Sequence, residues 1–173
     1  DSATALRVRI PGWAKDPVLK INGQTVDNEI QSGTYADLER VWKNDDRIDL
    51  YFPMSPRLLL AHPKVEQCRN QVAVARGPLL YCLEECDLPE DVRMEQICVP
   101  RDVELEPETL EDMPLGITAL RGNLLRQPGE EWNEQLYQTM TPYPQETVST
   151  RLVPYFAWAN RTGRAMSVWL PVR

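Results

Sequence analysis

The sequence is poor in the residue types that most enzyme active sites require. Its 173 residues include one histidine, His62, although histidine supplies most general bases and many metal ligands at neutral pH. A serine–histidine–aspartate triad would have to use His62, and the Gly-x-Ser-x-Gly turn that presents the serine in many hydrolases is missing. The eight glycines do not cluster into phosphate-binding loops. These absences argue against triad hydrolases and against the common nucleotide-binding folds.

Long apolar runs and an excess of positive charge are also missing. No stretch approaches the roughly 20 apolar residues that a membrane-spanning helix needs, and the first ten residues lack the apolar core of an export signal. The chain has 19 Lys and Arg against 26 Asp and Glu, and the resulting net charge of −7 disfavours binding to a phosphate backbone. The sequence therefore predicts that neither nucleic acid nor a membrane is a partner.

The four cysteines, Cys68, Cys82, Cys86 and Cys98, contain no Cys-x-x-Cys pair, so their spacing matches no common zinc site. Cys82 and Cys86 in one continuing strand would face the same side about 13 Å apart, too far for a disulfide. Small buried thiols in a reducing compartment explain the pattern better. We therefore expect no metal or other cofactor in this chain.

The localisation of the protein stays open. Free cysteines favour the cytoplasm, because disulfides form mainly in oxidising compartments. However, the first strand pattern begins at Ala5 with almost no lead-in, so we expect the chain to be part of a longer protein. Any signal peptide would then lie upstream of Asp1.

Alternation of apolar and polar residues, interrupted by 15 prolines, predicts an all-β protein. The first strand ends at Pro11-Gly12. Asn22-Gly23 separates two short apolar segments, and this dipeptide favours a two-residue type I′ hairpin because both turn residues need positive φ. Other strands are predicted at residues 35–41, 47–52, 57–61, 71–76, 78–84, 97–99, 103–105, 117–121, 150–153, 155–159 and 166–170.

The strands are predicted to form two consecutive antiparallel β-sandwich modules of jelly-roll type, at residues 1–66 and 67–173. The boundary lies at a polar break around residues 62–69, after which a second series of strands begins. We expect the first module to be truncated at its N-terminus, and its incomplete sheet would offer an exposed edge for self-association. The acidic stretch at 88–114 is interpreted as a solvated face, since a calcium loop needs its Asp and Gly at set offsets.

Three motifs occur in an order that resembles a known family. The first joins Leu-Arg-Val-Arg-Ile-Pro-Gly-Trp at 6–13 to Asn22-Gly23, Arg-Val-Trp at 40–42 and Pro-Met at 53–54. The second is Ala-Val-Ala-Arg-Gly-Pro-Leu-Leu-Tyr-Cys-Leu-Glu at 73–84, and the third combines 154–161 with 166–170. The series resembles the C-terminal region of glycoside hydrolase family 127, the β-L-arabinofuranosidase type. The resemblance covers most of the chain and is weakest between 88 and 149.

This resemblance implies an upstream (α/α)6 barrel that carries the chemistry, followed by β-sandwich modules of which this chain is the downstream part. In that family a zinc-bound cysteine is the nucleophile and a glutamate is the acid/base, in or next to the barrel. No segment here matches those motifs, so no catalytic residue and no metal ligand are assigned, Cys82 and Glu84 included. The implied role is a non-catalytic accessory module, and its partner is the parent enzyme's own catalytic barrel.

An autonomous carbohydrate-binding module is the alternative, in which exposed aromatic rings stack on plant-type glycans. The long irregular segment at 127–149 contains Trp132, Tyr137 and Tyr143, which are the candidate contacts with a sugar or with the barrel. A free-standing enzyme is a third alternative, which no motif supports.

Other large side chains are assigned structural positions. Trp13 and Trp42 each end a strand, where a large ring covers the edge of a sandwich. Trp158 and Trp169 lie in the predicted last hairpin and are assigned to the core. Arg161 is suited to pair with carboxylates, although a solvated side chain is its expected state.

Overall fold

The computed structural model describes residues 2–26, 30–111, 113, 116–127, 135–139, 144–161 and 165–173. Within these ranges the regular structure consists of β-strands and four short 3-10 turns, with no α-helix. The named strand pairs are antiparallel, so the predicted all-β fold class is confirmed. None of the described residues belongs to a helix long and apolar enough to cross a membrane. The chain divides into two compact units, Asp1–Ser55 and Pro56–Arg173.

The first unit contains two small sheets. Its strands are β1 (Thr4–Arg9), β2 (Val18–Ile21), β3 (Gln24–Thr25), β4 (Tyr35–Arg40) and β5 (Ile48–Tyr51). β1 pairs with β4, and β2 lies between β3 and β5. The buried apolar residues of this unit are Ile10, Ala14, Leu19 and Leu38. Trp13 is half-buried and meets Phe52 edge to face with ring centroids 5.8 Å apart, and Trp42 Nε1 donates to the Thr4 carbonyl at 2.9 Å.

The Asn22-Gly23 turn has the backbone that a type I′ hairpin requires. Both residues have positive φ, 51° for Asn22 and 80° for Gly23, and Ile21 pairs with Gln24 across the turn. The Asn22 side chain donates to Asp46 at 2.8 Å and accepts from the Arg47 backbone N–H at 2.8 Å. The hairpin predicted from the dipeptide is therefore confirmed, and it is tied to the turn that precedes β5.

The second unit is one nine-stranded sheet. Its strands are β6 (Pro56–Leu60), β7 (Gln71–Arg76), β8 (Leu79–Glu84), β9 (Ile97–Cys98), β10 (Leu105–Leu110), β11 (Ile117–Arg126), β12 (Glu146–Pro154), β13 (Met166–Ser167) and β14 (Trp169–Pro171). The main order is β10-β11-β12-β8-β7-β14, and β9, β13 and β6 pair with β11, β8 and β7. A parallel bridge joins Val99 and Val172, which follow β9 and β14. The sheet therefore curls back on itself.

The two faces of this sheet pack against separate apolar clusters. In β8, Tyr81 and Leu83 belong to the larger cluster and Cys82 to the smaller one, as alternation along a strand requires. β12 repeats the pattern, with Leu152 in the larger cluster and Val153 in the smaller one. Both faces of the central strands are therefore covered, which explains their nearly continuous apolar sequence.

The division between the units falls between Ser55 and Pro56, whereas the sequence break placed it between 66 and 67. β6 pairs along its whole length with β7, from Pro56 opposite Arg76 to Leu60 opposite Val72, so it belongs to the second unit. The polar break is a connection between these two strands and contains a 3-10 turn at Glu66–Cys68. The strand predicted at 155–159 is likewise a 3-10 turn, Tyr155–Ala157, which follows the proline that ends β12.

Candidate functional site

Four charged side chains form a network where β8 and β12 lie side by side. Glu84 is the last residue of β8, and Asp87 ends the 3-10 turn Glu85–Asp87 that follows it. Arg151 lies in β12, and Arg161 comes after the turn that follows β12. The side chains of Glu84 and Asp87 are 2% and 1% exposed. A buried carboxylate needs a cation or several hydrogen-bond donors, and this network supplies both.

Arg161 is the centre of the network. Its Nη1 donates to Asp87 Oδ1 at 2.7 Å, and its Nη2 donates to a carboxylate oxygen of Glu84 and to the second oxygen of Asp87. Arg151 Nε donates to Asp87 Oδ1 at 2.6 Å. The hydrogen bonds that Arg161 donates to Asp87, together with the one it donates to Glu84, raise the pKa of Arg161 above its ordinary value. Two guanidinium groups thus balance the two buried carboxylates, which is the condition for burying them.

The same network fixes the segment after β12. Glu84 Oε1 accepts the backbone N–H of Ala159 at 3.1 Å, and Ala159 has φ = 64°, a left-handed conformation that side chains other than glycine rarely adopt. The Asn160 amide donates to the Ala157 carbonyl at 2.9 Å. Ala157 itself is buried in the smaller apolar cluster. Ala157 and the side chain of Arg161 are therefore held toward the interior of the unit, and the exposed Ala159 is tied to it through its N–H.

The residues next to these anchors present an exposed patch of rings, which we call the aromatic surface: Tyr155, Phe156 and Trp158. Their exposed fractions are 49%, 62% and 40%. The rings of Tyr155 and Trp158 stack with centroids 6.3 Å apart and an interplanar angle of 12°. Because the segment is a 3-10 turn, strand alternation does not apply to it, and the prediction of a core position for Trp158 is wrong. Trp169, in β14, is half-buried.

The expected solvated state of Arg161 is also wrong, and the buried acids were missed with it. A signal was present in the sequence, because Glu84 directly follows the apolar run Leu79–Leu83 at the end of a strand whose two faces are both covered. A carboxylate at such a position must be paired. The sequence offers several arginines as partners and does not show which one lies opposite.

The aromatic residues predicted to be contacts are only partly described by the structure. Tyr137 is 90% exposed, and Leu136 beside it is also exposed. Trp132 and Tyr143 lie outside the described residues. A contact of these three residues with a sugar or with a barrel stays a prediction.

The cysteines and acids near the network are poorly suited to metal binding and to nucleophilic chemistry. One ligand atom each of Glu84, Cys86 and Asp87 lies within 4.8 Å of the others. Both carboxylates already accept hydrogen bonds from Arg161, so a metal ion would compete with a guanidinium. Burial, followed by the charge of Glu84, raises the pKa of Cys82 to about 12, which leaves a weak nucleophile at neutral pH. These groups are therefore suited to stabilising the fold of the second unit.

Comparison with protein families assigns both units. A family model described as beta-L-arabinofuranosidase, GH127 middle domain, matches residues 1–54. The glycoside hydrolase family 127 C-terminal domain matches residues 56–171. A curated relative, the non-reducing end beta-L-arabinofuranosidase of Bifidobacterium longum subsp. longum, is 30% identical in an alignment 174 positions long, which covers 98% of this chain and 26% of the relative.

Solved structures are similar over the same extent. One described as a glycoside hydrolase has a TM-score of 0.90 and 39% identity, covering 99% of this chain and 28% of its own. A GH127 beta-L-arabinofuranosidase from Geobacillus stearothermophilus T6 has a TM-score of 0.87 and 36% identity, covering 100% of this chain and 27% of its own. The chain therefore spans about a quarter of the length of these relatives.

Proposed function

The chain belongs to glycoside hydrolase family 127, with its first unit in the middle domain and its second in the C-terminal domain, and on that basis we propose that it is a non-catalytic accessory module of a β-L-arabinofuranosidase. In this role it packs against the catalytic barrel of the longer enzyme and stabilises it. The observation that carries the proposal is the extent of the match, which is nearly complete for this chain and about a quarter of each relative. The unmatched three quarters leave ample length for a separate catalytic domain.

The chemistry of the buried acids supports the accessory role. Most glycosidases use two carboxylates about 5 to 10 Å apart on either side of a substrate cleft. Glu84 and Asp87 are close together, but their side chains are almost fully buried and bind Arg161 and Arg151. They therefore support the fold and offer no surface to a sugar. The thiol of Cys82 is likewise unsuited to act as a nucleophile, because its pKa is about 12.

We also propose that the chain holds no metal of its own, and that the zinc of the parent enzyme lies in the barrel. Among the described residues, the group Glu84, Cys86 and Asp87 provides donors at suitable separations. The guanidinium of Arg161 binds two of those three donors. A metal ion bound to these donors would displace the guanidinium of Arg161 from Glu84 and Asp87. The largely buried charge of Arg161 would then lack its anionic partners, which costs free energy.

Deletion from the longer enzyme tests the accessory role. The barrel without the residues that correspond to 1–173 is expected to melt at a lower temperature than the full-length enzyme and to lose soluble yield. Co-expression of the chain as a separate polypeptide is expected to restore part of that yield. A barrel that keeps the melting temperature and kcat/KM of the full-length enzyme would contradict the proposal.

A carbohydrate-binding module is the second candidate, and the exposure of Tyr137 is the observation that favours it. Calorimetric titration of the chain with arabino-oligosaccharides distinguishes the two. Weak binding that disappears in Trp132→Ala or Tyr137→Ala would assign a binding role to the irregular segment. The accessory role predicts no such binding.

A further inference from the structure

The aromatic surface is unusual because three large rings within four residues remain in contact with water. Tyr155, Phe156 and Trp158 are each at least 40% exposed, although aromatic rings carry a large apolar area that favours burial. Clustered exposure of this kind marks interaction sites on folded proteins more often than scattered exposure does. The segment also belongs to the third of the ordered motifs, and its structural role in the unit does not require its rings to face outward.

Contacts within the chain fix the backbone conformation around the aromatic surface, so it does not depend on a bound partner. Ala159 is held in a left-handed conformation by its N–H bond to Glu84, and Asn160 binds the carbonyl oxygens of Ala157 and Trp158. A strained residue persists only where the surrounding structure determines its conformation, as the buried ion pairs of Arg161 do here. A preorganised surface loses little conformational entropy when it binds.

The chemistry of the loop favours an apolar protein surface over a sugar. Sugar sites combine a stacking ring with side chains that hydrogen-bond to hydroxyl groups. Among the described residues of this segment, the polar side chains of Asn160 and Arg161 are used internally, since Asn160 binds backbone carbonyls and Arg161 binds Glu84 and Asp87. An apolar patch on a protein needs no such donors.

We propose that the aromatic surface is the face by which this chain docks onto an apolar patch of the catalytic barrel in the longer enzyme. The inference rests on the proposed accessory role and adds the contact residues to it. Because the chain spans about a quarter of its relatives, most of such an enzyme lies outside it and is covalently tethered at high effective concentration. A tethered apolar patch would cover the three rings in the assembled enzyme.

Hydroxyl-radical footprinting with mass spectrometry tests the contact directly, using the 173-residue chain and the full-length enzyme. Oxidation of Phe156 and Trp158 is expected to be severalfold slower in the full-length enzyme, while buried Tyr81 stays protected in both. Equal rates in the two proteins would overturn the proposal. Protection of the isolated chain that grows with its concentration would assign the surface to a second copy. Protection by added arabino-oligosaccharide would assign the surface to a sugar. Either result would overturn the proposal.

A charged substitution provides the second test. Phe156→Asp is expected to lower the melting temperature of the full-length enzyme and to leave that of the isolated chain unchanged, because the ring is already mostly solvated there. Leu60→Asp, at another exposed apolar residue of the same unit, is the matched control and should change neither. Equal destabilisation of the isolated chain by Phe156→Asp would show a purely structural residue and overturn the proposal.

These tests separate the docking surface from the accessory role. If deletion destabilises the barrel while Phe156 stays reactive in the full-length enzyme, the accessory role stands and the aromatic surface is not the contact. If deletion has no effect, the accessory role itself fails, whatever the footprint of the rings.

Discussion

Gly23 has a left-handed backbone conformation, which glycine adopts easily because it has no Cβ. Its φ of 80° belongs to the left-handed region, and a Cβ added there would meet nothing within 4 Å, so a substitution changes backbone strain alone. We predict that Gly23→Val lowers the stability of the first unit by about 1 kcal/mol or more, because β-branched residues strongly disfavour this region. Gly23→Asn should cost less, since asparagine tolerates positive φ. Denaturant titration measures both, and equal midpoints for Val and glycine would contradict the prediction.

The thiol of Cys82 should be chemically silent in the folded chain. Cys82 is fully buried with a pKa of about 12, so very little thiolate exists at pH 8. Cys68 and Cys86 are only half-buried. In a native Ellman titration we expect Cys82→Ala to leave the fast-reacting amplitude unchanged and Cys68→Ala to reduce it. A fast amplitude that falls by one thiol in Cys82→Ala would contradict the burial of this residue.

At the residue scale, the sequence predicts turns better than it predicts ion pairs. Asn22-Gly23 determines its own turn, because positive φ is a local preference of these two residue types. Arg161 and Glu84 are 77 positions apart, and their pairing depends on how β8 and the segment after β12 meet in the folded unit. No local rule links two such positions, so the predicted solvated Arg161 was wrong.

Among the connections between elements, the Arg161 network should contribute most to stability. We predict that Arg161→Met destabilises the second unit by about 3 to 5 kcal/mol, because it leaves Glu84 and Asp87 buried with one cation fewer. Arg121→Met is the matched control, since Arg121 forms a bidentate but solvent-accessible pair with Glu108 across β10 and β11. That change should cost about 1 kcal/mol or less. Similar losses in urea unfolding for the two variants would contradict the buried role of Arg161.

The open edge of β1 leads to a prediction about association. Within the described residues β1 pairs with β4 alone, and the two form a sheet of only two strands. Unpaired strand edges can bind another copy, although charged residues such as Arg7 and Arg9 weaken that tendency. We predict weak, concentration-dependent self-association in sedimentation velocity. A sedimentation coefficient that stays monomeric at high concentration would contradict it.

At the element scale, alternation located most strands, and its failures have physical causes. The acidic stretch, which the sequence predicts to be a solvated face interrupted by short strands, contains β10, half of whose residues are exposed and which includes Pro107. A proline inside a strand is tolerated at the edge of a sheet, and β10 pairs with β11 alone. The segment 155–157 forms a 3-10 turn in place of the predicted strand, because it follows Pro154, which ends β12.

For the whole molecule, the composition and the three motifs say more about fold class and family than any single residue does. The all-β class follows from alternation over the full length, and the ordered motifs identify the family across both units. The division at Ser55/Pro56 could not be predicted, because a polar loop inside a unit looks like a linker when strand pairing is unknown. Candidate contact residues were sought in the irregular segment, whereas the ring cluster at 155–158 follows a regular strand.

In the proposed role, this chain supports a glycoside hydrolase without performing its chemistry. The most direct measurement is the turnover of an aryl β-L-arabinofuranoside by the purified 173-residue chain, with metal analysis of the same sample and the full-length enzyme as positive control. We predict no hydrolysis above the buffer rate and no stoichiometric zinc. Turnover that is abolished by Cys82→Ser or Glu84→Gln, or one tightly bound zinc per chain, would contradict the accessory role.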